Sequence, residues 1–234
     1  MIVSIHQPAY LPWLGYFHRI AMSDAHIVLD SVQLEKNSFT NRNKVRTAEG
    51  WCWLTVPVRT AGRFRDLAIN KVEIANDRPW REKHWATLRL NYAKAAYFNE
   101  HASFFDEVYS RNWIKLADLT WAITEYLLDA FEIRTPIYFS SQIDAAGKKD
   151  GLLLNLCQKM DADVYLSGPL GRDYLREEVF RQQGITVRYD DYHHPTYNQA
   201  YPEFEPYMSA LDLLFNEGPR SREVMMLEQE RISA

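Results

Sequence analysis

The sequence predicts an α/β fold, and three observations carry that expectation. Residues 2–29 read as strand, helix, strand. Residues 136–189 return to the same alternation, as strand, helix, strand, helix, strand. Between them the chain turns polar and basic, then helical. Strands joined through helices form parallel pairs with right-handed crossovers. The expected architecture is therefore a mainly parallel, Rossmann-like three-layer sheet built from both chain ends, with an antiparallel and helical middle inserted. On this reading residues 1–234 form one domain. The α/β core is at about 1–35 and 135–192, the insertion at about 36–134, and a C-terminal loop with helices at 193–234.

Each element has a local reason. Residues 2–6 are a short apolar strand. Residues 11–22 place Leu11, Leu14, Phe17 and Ile20 near helical spacing. Residues 25–29 form a second apolar strand, closed by Asp30. Residues 31–46 read as a polar loop leading into a strand; Glu49-Gly50 then supplies a turn before a strand at 51–58, and another strand is expected at 67–74. Asp77 is placed to cap a helix entered through Pro79 and running to about 93. Helices follow near 102–110 and 113–131. Later come a strand at 136–139, a helix at 149–160, a strand at 164–167, a helix at 172–182 and a strand at 185–189. A Tyr- and Pro-rich loop at 193–207 precedes helices at 209–215 and beyond.

Composition narrows the classes of function. At 234 residues and 47% hydrophobic, the chain can build a full core. A net charge of -4 is not that of a general nucleic-acid binder. Two cysteines, Cys52 and Cys157, are too few for a disulfide framework. Metal-ligand spacings such as CxxC or HExxH are missing, so no metal site is expected, the His193-His194 pair after Asp190-Asp191 notwithstanding. The start of the chain lacks a signal-peptide pattern and no apolar run is long enough to span a membrane. The expected setting is the cytoplasm, without membrane insertion. One stretch stands apart: residues 36–71 hold eight basic residues against Glu49 and Asp66. It reads either as a solvated hairpin face or as a local anion site.

In an open parallel sheet, ligands sit beyond the carboxyl ends of the strands. Four segments should arrive there. His6 and Gln7 end the first strand and are the candidate catalytic pair, with His6 suited to general-base work. The turn after them carries Tyr10, Trp13, Gly15 and Tyr16, candidate substrate contacts at a helix start. Asp30 with Asn41, Arg42 and Asn43 forms a second group, in which Arg42 can hold a carboxylate or phosphate. Ser140 and Ser141, followed by Lys148 and Lys149, form a third, suited to phosphate oxygens. Ser167, Gly168, Gly171 and Arg172 form a fourth, a strand–loop–helix junction that admits an anion. Tyr197 and Gln199 are further residues able to reach a pocket.

These segments together resemble the WbqC-like family of bacterial proteins over nearly the whole chain. The resemblance rests on the unbroken run from His6 to Tyr16, on Ser23-Asp24, Asn41-Arg42-Asn43 and Leu54-Thr55-Val56-Pro57-Val58. Ser140-Ser141, Tyr165-Leu166-Ser167-Gly168 with Gly171 and Tyr174-Leu175, Tyr197-Asn198-Gln199, and the run from Ser209 to Phe215 add to it. It implies a role in bacterial cell-surface polysaccharide synthesis of the O-antigen kind, with glycyl transfer to a sugar as the suggested reaction. It fixes no catalytic residue. The implied partners are an amino acid and a sugar or nucleotide-sugar, and the cofactor is unknown, with ATP or another nucleotide compatible. A weaker similarity links Pro12-Trp13-Leu14-Gly15-Tyr16 to the HxGH turn of nucleotidyltransferases and adenylating ligases. Here Trp13 and Tyr16 stand where that motif has histidines, which removes the groups that stabilise a transferring phosphate. The alternatives are an HxGH-like nucleotidyltransferase or ligase of another substrate, and a non-catalytic module that binds a sugar, through the many Tyr and Trp rings, or another protein.

Overall fold

The computed structural model describes residues 1–60 and 66–232, with side chains through Leu227. Five strands form one all-parallel sheet. They are β1 (Ile2–His6), β2 (Ala25–Val28), β7 (Ile137–Phe139), β8 (Val164–Ser167) and β9 (Thr186–Tyr189), in the spatial order β7-β2-β1-β8-β9. All come from residues 1–35 and 135–192, as the alternation predicted. Helix α1 (Leu14–Ala21) connects β1 to β2, α5 (Asp150–Lys159) leads into β8, and α6 (Glu177–Arg181) connects β8 to β9. One face of the sheet, through Val3, Ile5, Ile27 and Tyr165, packs on Leu153, Leu156 and Phe180 of α5 and α6. Strand alternation puts Ser4, His6 and His26 on the other face, beneath α1.

The middle of the chain contributes a hairpin of β3 (Arg42–Thr47) and β4 (Gly50–Thr55), a two-residue pair of β5 (Val58–Arg59) and β6 (Glu73–Ile74), and three helices. These are α2 (Trp80–Tyr92), α3 (Phe98–Ser110) and α4 (Leu116–Ala130). Together with α1, α7 (Ala210–Glu217) and α8 (Ser221–Ile232) they enclose the larger core, rich in rings such as Phe17, Tyr92, Phe105, Phe131 and Phe215. No helix among the described residues is long and apolar enough to cross a membrane.

Four local expectations are corrected. Residues 67–74 are not one strand: a 3-10 turn at Ile69–Lys71 precedes the short β6, because buried Ile69 and Val72 turn into the core three residues apart. The expected strand at 51–58 divides at Pro57 into β4 and β5, since proline offers the ladder no donor. The cap of α2 is Pro79, not Asp77, and Asp77 pairs with Arg59 on the surface instead. Residues 172–182 are not one helix but a 3-10 turn at Pro169–Asp173 followed by α6.

A candidate active site at the carboxyl edge of the sheet

The chain leaves β1 towards β2 on one side and β8 towards β9 on the other. The gap between β1 and β8 is thus the topological switch point, where parallel sheets hold ligands. The strand ends present, in spatial order, Ser140, Asp30, His6, Ser167 and Asp190. Neighbouring strands lie about 4.8 Å apart.

His6 ends β1, half-buried. Its Nδ1 lies 2.8 Å from the Gln7 carbonyl, which fixes the proton on Nδ1 as donor and leaves Nε2 as an acceptor. The Tyr16 ring meets it edge-on at 5.1 Å and meets His26 at 5.7 Å. His26 Nδ1 is 2.8 Å from the Ser4 hydroxyl, and its Nε2 has no hydrogen-bond partner. Burial first, and the Arg19 cation second, pull the His6 pKa down to about 4, so the ring is neutral at physiological pH. Burial also pushes the Tyr16 phenol up.

Arg19 is the residue that sequence reasoning missed. It projects from α1 and is 4% exposed. Gly168, at the end of β8, lies against it: a Cβ there would come within 2.7 Å of the guanidinium. Asp190, at the end of β9, places a carboxylate oxygen 3.6 Å from Nε, an ion pair but not a hydrogen bond, and Nε has no hydrogen-bond partner. The other Asp190 oxygen is 2.9 Å from His18 Nδ1, yet neither His18 nitrogen makes a well-formed hydrogen bond. Desolvation lowers the Arg19 pKa while Asp190 opposes the shift. The guanidinium nevertheless stays charged. The switch point therefore holds a desolvated cation with hydrogen-bonding capacity left over, beside a neutral imidazole with a free lone pair. Such a cation suits a carboxylate or a phosphate. The signal was present: His18-Arg19 interrupts an apolar helix, and Asp190 closes β9 just as Asp30 closes β2.

The turn between β1 and α1 is held from several sides. Leu11 is buried at φ 49°, a backbone region costly for a branched side chain, and Asn43 Nδ2 donates to its carbonyl at 2.6 Å. Trp13 bridges to Ser209, and the Ala210 N–H donates to the Pro12 carbonyl at 2.8 Å. The indole folds back over Gly15, where a Cβ would lie 2.3 Å from a ring carbon, and it packs against Tyr192 and Tyr207. Trp13 and Tyr16 thus fill the HxGH positions with ring packing rather than with titrating groups. Gly15→Ala is expected to force the indole aside at a cost of about 1–3 kcal/mol. Calorimetry should show this as a fall in Tm of roughly 2–10 °C; an unchanged Tm would mean that the indole moves freely.

The remaining candidates disperse. Asp30 is occupied by the chain itself: one oxygen accepts from the Ser140 hydroxyl and the Ser141 N–H, each at 2.9 Å, and the other from the Ser141 hydroxyl at 2.7 Å. Lys148 and Lys149 are exposed at the start of α5. Arg172 is exposed and forks onto Asp191, with both contacts at 2.6 Å. Gly171 is required by internal packing, since Ser167 Oγ fills the space of its missing Cβ. Tyr10 is fully buried between Tyr109 and His84. Asn41 donates to the Val56 carbonyl, and Arg42 to that of Asn37. The basic stretch disperses likewise: Arg46 is buried beneath the loop around residues 199–205, Arg59 pairs with Asp77, and Arg63 and Arg65 lie outside the described residues. Tyr197 and Gln199 bind buried Asp212 rather than reach the switch point. Two shallow hollows of about 330 and 400 Å³ open beside the 195–204 loop, away from the strand ends.

Comparison with known proteins agrees with the motifs. A curated protein of Mycobacterium tuberculosis, itself uncharacterised, is 37% identical over 218 residues, covering 92% of this chain and 94% of its own length. No solved structure matches. The profile of the WbqC-like protein family matches residues 7–224, and the chain belongs to that family.

Proposed function

We propose that the protein is a transferase of bacterial cell-surface polysaccharide synthesis, of the O-antigen kind, that moves an aminoacyl group, glycyl in the simplest case, onto a sugar. The observation that carries this reading is desolvated Arg19 beside neutral His6 at the switch point. An amino acid activated as an acyl phosphate or adenylate bears the anion that Arg19 would hold, over Gly168. ATP or another nucleotide would supply that activation. His6 Nε2 takes the proton of the attacking sugar amine or hydroxyl, while Gln7 fixes the tautomer through its carbonyl. The new N–C or O–C bond forms at the acyl carbon. The C–O bond to the phosphoryl group breaks, and phosphate, or the nucleoside monophosphate in the case of an adenylate, leaves with the electron pair. An anion on Arg19 also offsets the charge that depresses His6, so the base strengthens when the donor binds.

The test is incubation with ATP, labelled glycine and nucleotide-sugars. Labelled glycyl-sugar is expected from the native protein, with the rate about 100-fold lower in His6→Ala. Arg19→Gln is expected to raise KM for the activated donor. Absence of product from the native protein, or full activity in His6→Ala, overturns the reading.

A further inference from the structure

The outer face of the β3–β4 hairpin has no part in the site above. Register places Lys44 opposite Trp53, and Arg42 and Trp51 one row to either side. The side chains interleave as a ladder. The Arg42 guanidinium lies 4.4 Å from the Trp53 ring centre, and Lys44 Nζ lies 4.1 Å from Trp51 and 5.6 Å from Trp53. Phe39 extends the ladder at 5.9 Å from Trp53, and the two indoles stand 5.8 Å apart at 83°. Packing does not bury these rings: Phe39 is 50% exposed, Trp51 41% and Trp53 37%. An apolar cluster left open on one face marks an interaction surface.

Charge and rigidity say what fits. Among the described residues no carboxylate pairs with Arg42 or Lys44, so both cations keep donors for an external anion. The hairpin is fixed from behind, where Asn43 anchors it to Leu11 and Leu54 and Val45 enter the core. The platform is thus already ordered before a partner arrives, which reduces the entropy lost on binding. Indoles stack on the C–H faces of sugar rings, and the cations between them match carboxylates carried along such a chain. A nucleic acid would need a broader positive field than two cations in a protein of net charge -4.

We propose that this face, centred on Trp51, Trp53, Arg42 and Lys44, docks an acidic oligosaccharide. The proposal stands apart from the switch-point chemistry, because binding is read without turnover. The probe is oligogalacturonate, titrated against tryptophan fluorescence and by calorimetry. Saturable binding that weakens with salt is expected. Trp53→Ala should weaken it about tenfold. Lys44→Gln, a surface change that preserves the fold, should weaken it and flatten the salt dependence. Neutral maltooligosaccharide and a single-stranded oligothymidylate serve as competitors. No binding of oligogalacturonate, equal binding by either competitor, or unchanged affinity in Lys44→Gln overturns the proposal.

Discussion

Arg46→Met is expected to lower the unfolding free energy by about 3–5 kcal/mol, the cost of removing one side of a buried charged network. Arg46 is 2% exposed, and every nitrogen of its guanidinium donates. Nη1 serves the carbonyls of Thr47 and Gly50, closing the hairpin turn from within. Nη2 serves the carbonyls of Pro202 and Glu203, at 2.6 and 2.9 Å. Nε meets Gln199 Oε1 at 3.3 Å, and Gln199 in turn donates to Asp212 at 2.7 Å. One side chain therefore pins the loop around residues 199–205 to the hairpin. Methionine fills much of the volume but withdraws the N–H groups that serve four carbonyls. Lysine keeps the charge but has three donors instead of a fork, so an intermediate loss is expected. Urea denaturation of the three proteins checks the order. Faster proteolysis within residues 198–207 should accompany the methionine variant. Equal stability of the methionine variant would show that water replaces the guanidinium.

Acid should destabilise the protein well above the range where carboxylates titrate. Burial lowers the pKa of His6 and of His84 to about 4, and it also lowers that of His26. The unfolded chain binds protons at these positions below about pH 6.5, and the native one does not. Stability therefore falls as pH drops from about 6.5 towards 4, and it recovers on raising the pH. His6 and His84 each contribute a loss of about 3 kcal/mol by the bottom of that window. The two together rival the whole stability of many proteins. Buried Asp212, whose carboxyl is raised above its usual value, works in the opposite direction and softens the slope. For His84 the cause is burial. Tyr10 Oη lies 2.8 Å from Nδ1 and 2.6 Å from Tyr109 Oη; burial disfavours the charged ring, and the hydrogen bond to the Thr55 backbone opposes the shift only in part. Denaturation midpoints at pH 7.5, 5.5 and 4.5 should fall steeply. Flat midpoints down to pH 5 would mean that these rings open to water.

The sheet was legible because its strands are apolar runs with the turn residues in place. The strand predicted at 164–167 is the strand found. The candidate site was half legible. Residues at strand ends, His6, Asp30, Ser140 and Ser167, could be placed from the alternation alone. Arg19 was marked only by the polar break that His18-Arg19 makes in an apolar helix, a weak signal because an arginine in a helix normally faces water; the absent side chain of Gly168 makes room for it indoors. Arg46 illustrates the reverse case. It reads as one more basic residue in a basic stretch, and its role depends on carbonyls more than 150 positions away. Leu67 to Ile74 misled because apolar spacing near two cannot tell a strand from a tight turn.

The bridge between Trp13 and Ser209 has a consequence for biosynthesis. The N–H of Ser209 donates to Lys44, and that of Ala210 to Pro12, so three distant stretches of chain meet at one point. The turn that follows His6 leaves the ribosome well before residue 210, and it lacks a wall until that residue has emerged. Contacts this remote in sequence form late. A nascent chain can lay down β1 and β2 early, but its switch point gains this wall only once the stretch around residue 210 has been made.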